Sequence, residues 1–200
     1  MGVCGTAVMK EGCNTNLKYI SSAAVRIGRE KIGVADGVGK QLLAGDGFAS
    51  TLILSPPGGG KTTLLRDLVR WLSYSGQRIA LIDERGEVAV MHRGTAQMDV
   101  GPKTDVLDGC PKAVGIPVVL RAMNPQIIAV DEITAEADLR AMSQAAGCGV
   151  GLLATVHGES VEELQEKPLY RDLLARRVFS RAVRIERRGR ERVYVLEELP

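Results

Sequence analysis

A glycine-rich segment followed by lysine and threonine constrains the fold of this chain most strongly. Residues 55–62 read Ser-Pro-Pro-Gly-Gly-Gly-Lys-Thr and match G-x-x-x-x-G-K-[ST] except at the first position, where Ser55 replaces glycine. The apolar run Thr51–Ser55 precedes the segment, and leucines at helical spacing follow it from Leu64 to Leu72. The sequence therefore predicts a strand, a phosphate-binding loop and a helix, in that order.

The residue types in this loop suit a nucleoside triphosphate. Glycines let backbone N–H groups surround phosphate oxygens, and the N-terminus of the following helix adds partial positive charge. Lys61 is predicted to reach the β- and γ-phosphates of ATP, and the Thr62 hydroxyl to ligate Mg²⁺. We expect Ser55 to be tolerated, because the first position needs a sharp exit from the strand more than a phosphate contact. The predicted nucleotide-binding residues are Pro57, Gly58, Gly59, Gly60, Lys61, Thr62 and Thr63.

A second strand ends in two acids. The apolar run Gln126–Asp131 is followed by Glu132, so both carboxylates are expected at the carboxyl edge of a sheet, beside the phosphate loop. Asp131 is predicted to hold Mg²⁺ through water. Glu132 is the candidate general base that polarises an attacking water.

Other candidate site residues follow neighbouring strands or lie in loops. Thr155 and His157 come at the end of the strand that begins at Gly151, where a polar group could sense the γ-phosphate. The acidic cluster 83–87 could orient water or Mg²⁺, or form salt bridges. Arg121 and Arg93 are candidate phosphate-binding arginines or surface charges, and we expect them, with Arg85, on the same sheet edge as the loop.

Apolar strands alternating with helical patterns predict an α/β fold with a mainly parallel sheet covered on both faces. Residues 84–109 contain many glycines and are predicted to be loops. Pro117 is expected in the first turn of its helix, and Thr134 is the expected N-cap of the next. The predicted helices are 112–123, 135–146 and one or two within 160–177, and a β-hairpin is predicted from 181–186 and 192–196.

Composition excludes several classes of protein. The net charge is +2 and aromatic residues make up 4%, so neither an electrostatic nor a stacking argument favours nucleic-acid binding. The four cysteines lack C-x-x-C spacing and there are two histidines, which makes a zinc site or a disulfide framework improbable. With no signal-like N-terminus and no long apolar run, a soluble cytoplasmic protein is expected.

Two segments differ from this general picture. Residues 1–30 predict one or two short strands and too small a core to fold alone, so we expect a remnant of a preceding domain, or a native β extension, before an ATPase domain at 31–200. The C-terminal segment is rich in arginine, which could dock nucleic acid, anionic lipid or an acidic partner, or simply be a solvated face. These arginines are Arg171, Arg176, Arg177, Arg181, Arg184, Arg187, Arg188, Arg190 and Arg192.

The combined motifs resemble one family closely. Five stretches of the chain are similar to the stage III sporulation protein AA family. They are the phosphate loop with its continuation to Asp67, the segments 82–87, 105–112 and 127–133, and Leu-Ala-Thr-Val-His-Gly at 153–158. The similarity extends over residues 20–200. Gly86, where serine is expected, and Pro117, inside the helix before Arg121, depart from the family pattern.

The resemblance implies a RecA-like P-loop ATPase of endospore-forming bacteria, similar to the type II and type IV secretion ATPases. It implies a hexameric ring that serves membrane-embedded sporulation channel proteins from the mother-cell cytoplasm, with any membrane contact made through those partners. ATP and Mg²⁺ are the implied ligands, and no nucleic acid is expected. Members of the family carry a longer N-terminal domain.

Three functions agree with these residues. The first is an ATP-hydrolysing motor or assembly ATPase, and the second is a scaffold that switches on ATP binding with little turnover. The third is a P-loop kinase that acts on a small acceptor. Glu132 directly after Asp131 favours water as the acceptor and counts against the kinase. Because the first glycine of the loop is missing, the ATP-dependent switch remains an alternative.

Overall fold

A computed structural model describes residues 2–25, 30–43, 47–189 and 191–199. The internal contacts group the chain into two compact units, residues 1–30 and residues 31–200. In the first unit, β1 (Gly2–Lys10) and β2 (Cys13–Ala24) form an antiparallel hairpin. Glu11 and Gly12 join them with φ of 51° and 80°, the positive pair that a two-residue hairpin turn requires. The strands contain 9 and 12 residues, so the prediction of short strands was wrong.

The second unit is built on a seven-stranded sheet. Its strands in chain order, together with the small hairpin β5–β6, are β3 (Thr51–Ser55), β4 (Ile79–Asp83), β5 (Met91–His92), β6 (Thr95–Ala96), β7 (Thr104–Asp108), β8 (Ile127–Glu132), β9 (Gly151–His157), β10 (Arg181–Arg188) and β11 (Glu191–Glu198). The order across the sheet is β11-β10-β3-β9-β8-β4-β7, and every neighbouring pair is parallel except β10–β11. The predicted α/β fold with a C-terminal hairpin is confirmed.

Helices cover both faces of this sheet. They are α1 (Asp36–Leu42), α2 (Lys61–Tyr74), α3 (Lys112–Met123), α4 (Glu136–Gly147), α5 (Val161–Glu166) and α6 (Pro168–Ala175). Side chains alternate along each strand, so Leu52 and Leu54 of β3 pack in the core under α3–α6. Ile53 faces the other way and packs in the core under α1 and α2. Each fully buried leucine contributes about 1.5–3 kcal/mol to this packing.

Besides the small hairpin β5–β6, two elements were not predicted from the sequence. β7 lies within the predicted loop region and pairs in parallel with β4 at the sheet edge; polar Thr104, Asp105 and Asp108 hide its strand pattern. α1 contains two glycines, which disfavour helices by about 1 kcal/mol each. Its support is tertiary, because a β-carbon at Gly39 would lie 2.5 Å from the Trp71 ring and Asp67 accepts the Ala35 N–H at 2.7 Å.

Two predicted helix details were also wrong. Pro117 lies inside α3 and not in its first turn. The N-cap of α4 is Ala135 and not Thr134, because the Asp138 carboxylate reaches back and accepts the N–H groups of both residues.

Asp83 organises the loop that follows β4. Its carboxylate is fully buried and accepts three backbone N–H groups, from Glu87 at 3.0 Å, Val88 at 3.0 Å and Ala89 at 2.8 Å. From α2, Arg66 donates to the carbonyls of Glu87 and Val88 at 2.6 Å each. Within the predicted acidic cluster, Asp83 therefore holds the loop backbone.

We predict that Asp83→Ala lowers the free energy of unfolding by about 3 kcal/mol or more, because three buried N–H donors lose their acceptor and each costs about 1–3 kcal/mol. Urea unfolding measures this loss. The matched control is Glu87→Ala, in the same turn but with an exposed side chain, which should change stability by less than about 0.5 kcal/mol. Equal stability of the two variants would contradict the role of Asp83.

Candidate functional site

The phosphate loop joins β3 to α2, and its glycines are required by geometry. Gly58 and Gly60 have φ of 74° and 109°, a region that side chains other than glycine rarely adopt. At Gly59, a β-carbon would lie 1.5 Å from the Ser55 hydroxyl oxygen. Ser55 therefore occupies space that Gly59 leaves open, which explains how the loop accommodates serine at its first position.

Lys61 begins α2 and turns its amine back into the loop. The side-chain nitrogen donates to the Ser55 carbonyl at 2.9 Å and contacts His157 Nδ1 at 2.7 Å. Burial lowers the pKa of Lys61, and the nearby Glu132 carboxylate opposes that shift. Since none of its present hydrogen-bond partners carries a negative charge, a phosphate oxygen would form a stronger, charge-assisted contact at this position.

Strand β9 lies between β3 and β8 and brings its last residue to the centre of the site. His157 Nε2 lies 2.9 Å from Glu132 Oε2, while Nδ1 faces Lys61. Because the Lys61 ammonium only donates, Nδ1 accepts and Nε2 carries the hydrogen that is donated to Glu132. Thr155 lies two residues earlier, 3% exposed and in register with Ile53 and Glu132.

A second group of charges surrounds Asp131. Lys112, the first residue of α3, donates to Asp131 Oδ1 at 2.8 Å and to Glu84. Burial lowers the pKa of Lys112, but the hydrogen bonds to these two carboxylates outweigh it and the pKa is raised. Burial raises the pKa of Asp131, although the hydrogen bond from Lys112 opposes that shift. The hydrogen bond from Lys112 lowers the pKa of Glu84.

Sequence reasoning assigned no role to Lys112. One signal was available, because lysine is unfavourable at the positive N-terminal end of a helix and a buried lysine needs carboxylate partners. Arg85 also lies at this site, with its guanidinium 3.9 Å from Glu132 Oε2.

The expectation that Arg121 shares this sheet edge was wrong. Helix α3 starts beside Asp131 and runs antiparallel to the strands. The C-terminal end of α3 lies at the amino ends of the strands, where the Asn124 carbonyl accepts a hydrogen bond from Arg78 Nε just before β4 begins. Arg121 is exposed in that last turn, and the six residues of β8 separate the two edges by about 20 Å. Arg93 is exposed in the turn of the β5–β6 hairpin, with φ of 49°.

Several C-terminal arginines form ion pairs within the hairpin β10–β11. Arg184 pairs with Glu186 and Glu197, Arg188 with Glu186, and Arg181 with Glu198. Arg190 lies outside the described residues. Arg192 differs, because its Nε donates to the Gly59 carbonyl of the phosphate loop at 2.7 Å; the sequence offered no signal that set it apart from its neighbours.

Two kinds of feature are absent from the part of the chain that the structure describes. None of the described helices is long and apolar enough to cross a membrane. No group of three or more His, Cys, Asp or Glu side chains that could hold a metal ion occurs among the described residues.

Three solved structures share this fold. The Legionella pneumophila ATPase DotB aligns with a TM-score of 0.59 and 17% identity over 84% of this chain and 48% of its own. The VirB11 ATPase of the Brucella suis type IV secretion system, solved with sulphate, aligns with a TM-score of 0.55 and 19% identity. That alignment covers 75% of this chain and 48% of VirB11. The pilus retraction motor PilT, solved with ADP, aligns with a TM-score of 0.59 and 17% identity. That alignment covers 90% of this chain and 55% of PilT. These similarities establish a RecA-like P-loop ATPase fold.

Sequence comparison is more specific. Stage III sporulation protein AA of Bacillus subtilis is 37% identical over 193 residues, which are 94% of this chain and 62% of that protein. The Arabidopsis thaliana protein SEEDLING PLASTID DEVELOPMENT 1 is 32% identical over 72% of this chain and 21% of its own length. The family profile described as "Sporulation stage III, protein AA" matches residues 1–194. The chain therefore belongs to the sporulation stage III protein AA family.

Proposed function

We propose that this chain binds and hydrolyses ATP as the motor or assembly ATPase of a sporulation channel or a secretion-like complex. The observation that carries the proposal is the chain of contacts from Lys61 through His157 to Glu132, which links the phosphate loop to a carboxylate on β8. The backbone of residues 57–63 would surround the phosphates, and Lys61 would bind the β- and γ-phosphates.

Glu132 is the proposed general base. It would take a proton from a water molecule as that water attacks the γ-phosphorus, and ADP would leave with the β-phosphate oxygen. His157 would orient Glu132 through the Nε2 hydrogen bond, at a position where both side chains are only partly exposed. Thr155, beside Glu132 in the register of the sheet, would respond to the γ-phosphate.

Thr62 and Asp131 are the proposed holders of Mg²⁺. The donor set fits, because a hydroxyl follows Lys61 at the start of α2 and the second oxygen of Asp131 has no partner among the described residues. Oxygen ligands completed by phosphates and waters suit this cation. When bound, Mg²⁺ neutralises phosphate charge.

A second candidate is an ATP-dependent switch or scaffold with little turnover. The specific observation in its favour is that Lys112 already engages one oxygen of Asp131, so that carboxylate has less charge to offer a cation. Steady-state phosphate release separates the two functions, because the switch would bind ATP and release almost no phosphate.

Efficient hydrolysis would need a cation on the γ-phosphate besides Lys61, because Arg85 and Lys112 of the same subunit face Glu132 and Asp131, and we propose that self-assembly supplies it. An arginine from a neighbouring subunit typically accelerates such reactions about 10³–10⁵-fold. Arg85 and Arg93 are exposed candidates; Arg121, at the opposite edge of its own sheet, could serve only another subunit. A head-to-tail arrangement, six-fold in the proposed ring, would bring such edges together.

The proposed partners are the membrane-embedded proteins of the sporulation channel. We propose a mother-cell cytoplasmic location, with any contact to the membrane made through those partners. This proposal follows from membership of the sporulation family.

We predict that Lys61→Ala weakens ATP binding at least about 100-fold, because the phosphates lose their buried cation. Equilibrium binding of a fluorescent ATP analogue measures the effect. Lys40→Ala, which removes an exposed lysine from α1, is the matched control and should bind normally. Near-native affinity of the Lys61 variant would contradict the assignment of the site.

We predict that Glu132→Gln keeps ATP affinity but lowers the rate of phosphate release by about 10²–10⁴-fold, because an amide cannot take a proton from water. Glu136→Gln, at an exposed position of α4, makes the same chemical change four residues away and should leave the rate unchanged. Unchanged phosphate release in the Glu132 variant would move the general base to Glu84.

We predict that specific activity rises with protein concentration, because the shared site exists only in the assembled state. Phosphate release and light scattering in the presence of ATP would be measured together, on this chain and on the full-length Bacillus subtilis relative. A flat activity with one particle size at every concentration, in both proteins, would rule out the shared site.

A further inference from the structure

A small cavity lies between the phosphate loop and the C-terminal hairpin. Its volume is about 250 Å³, and its lining combines loop residues 55–59 with Ile185, Glu186, Arg187 and Arg192. It lies on the β10 side of β3, whereas β9, with His157, lies on the other side. The loop therefore has two differently built flanks.

The two arginines of this cavity face each other across the hairpin. Arg187 and Arg192 are directly paired in the β10–β11 register, an arrangement of like charges that is unfavourable without compensation. Glu186, the acid beside them, is engaged by Arg184 and Arg188. Among the described residues, neither Arg187 nor Arg192 has a carboxylate partner, so the cavity wall carries uncompensated positive charge.

Arg192 is oriented by a contact with the loop. Its Nε donates to the Gly59 carbonyl at 2.7 Å, and a β-carbon at Gly60 would lie 2.9 Å from that nitrogen. The guanidinium thus lies against the backbone at the start of α2. This contact uses one donor and leaves the terminal nitrogens available for an anion.

The proposed reaction determines which part of a nucleotide meets this flank. Lys61, His157 and Glu132 lie on the β9–β8 side, so the terminal phosphate belongs there. A nucleotide whose β-phosphate is surrounded by the loop must then extend its α-phosphate toward the opposite flank, which is the cavity with the arginines.

We propose that the C-terminal hairpin supplies the subsite for the α-phosphate and the attached ribose, with Arg192 as the residue that binds the α-phosphate and Arg187 adding charge. This inference rests on the proposed function, since it assigns a further part of the same nucleotide site. It predicts that the hairpin distinguishes nucleotides from inorganic pyrophosphate, which has only the two phosphates that the loop and Lys61 bind.

The test compares the binding of ATP and of inorganic pyrophosphate to the wild-type chain and to Arg192→Ala by calorimetry. We expect ATP affinity to fall about tenfold, as for the loss of one exposed charge-assisted hydrogen bond, while pyrophosphate affinity stays within about twofold. Arg181→Ala is the matched control, because Arg181 lies at the other end of the hairpin and pairs with Glu198; both affinities should be unchanged.

Three results would overturn the subsite. Equal losses for ATP and pyrophosphate would mean that Arg192 only shapes the loop through Gly59. Unchanged ATP affinity in Arg192→Ala, with normal binding by the wild type, would refute the inference and leave the proposed function intact. A wild-type chain that binds no nucleotide would refute both.

Discussion

The site depends on one geometric constraint, which is the insertion of β9 between the phosphate-loop strand and the strand that carries the acids. Because His157 ends that inserted strand, its ring touches Lys61 with one nitrogen and Glu132 with the other, at 2.7 Å and 2.9 Å. One imidazole ring therefore joins the phosphate-loop lysine to the carboxylate on β8.

The carboxylates of Asp131 and Glu84 share one buried cation, Lys112. Lys112 is 2% exposed and starts a helix, two conditions that both disfavour a cation. Its hydrogen bonds to Asp131 and Glu84 offset that cost, and removal of one member of such a buried group typically costs about 3–5 kcal/mol. Whether Asp131 binds Mg²⁺ as proposed, or the chain is the alternative ATP-dependent switch, depends on the strength of the ion pair between Lys112 and Asp131.

Sequence patterns succeeded where local chemistry and local structure agree. The loop 55–62, the two acids that end β8 and the hairpin around Gly189 were predicted because glycine, acid and apolar positions have fixed spacing. They failed for β7, whose polar residues form an edge strand only because β4 offers a partner, and for α1, whose glycines are tolerated because Trp71 and Asp67 support the helix. Both elements owe their existence to contacts that are distant in the chain.

The sequence by itself determined the fold class, the family, and the residue types of the phosphate loop and of the acidic strand end, because each is encoded within a short stretch whose spacing follows backbone geometry. Only the tertiary structure decided which charges meet. In the folded chain Lys112 pairs with Asp131, and Asp83 accepts the backbone N–H groups of the loop that follows it. Arg121 lies at the amino ends of the strands, away from the phosphate loop, and Arg192 donates to the Gly59 carbonyl. The physical reason is that strand order and helix direction control these encounters, and neither is encoded in the residues that meet.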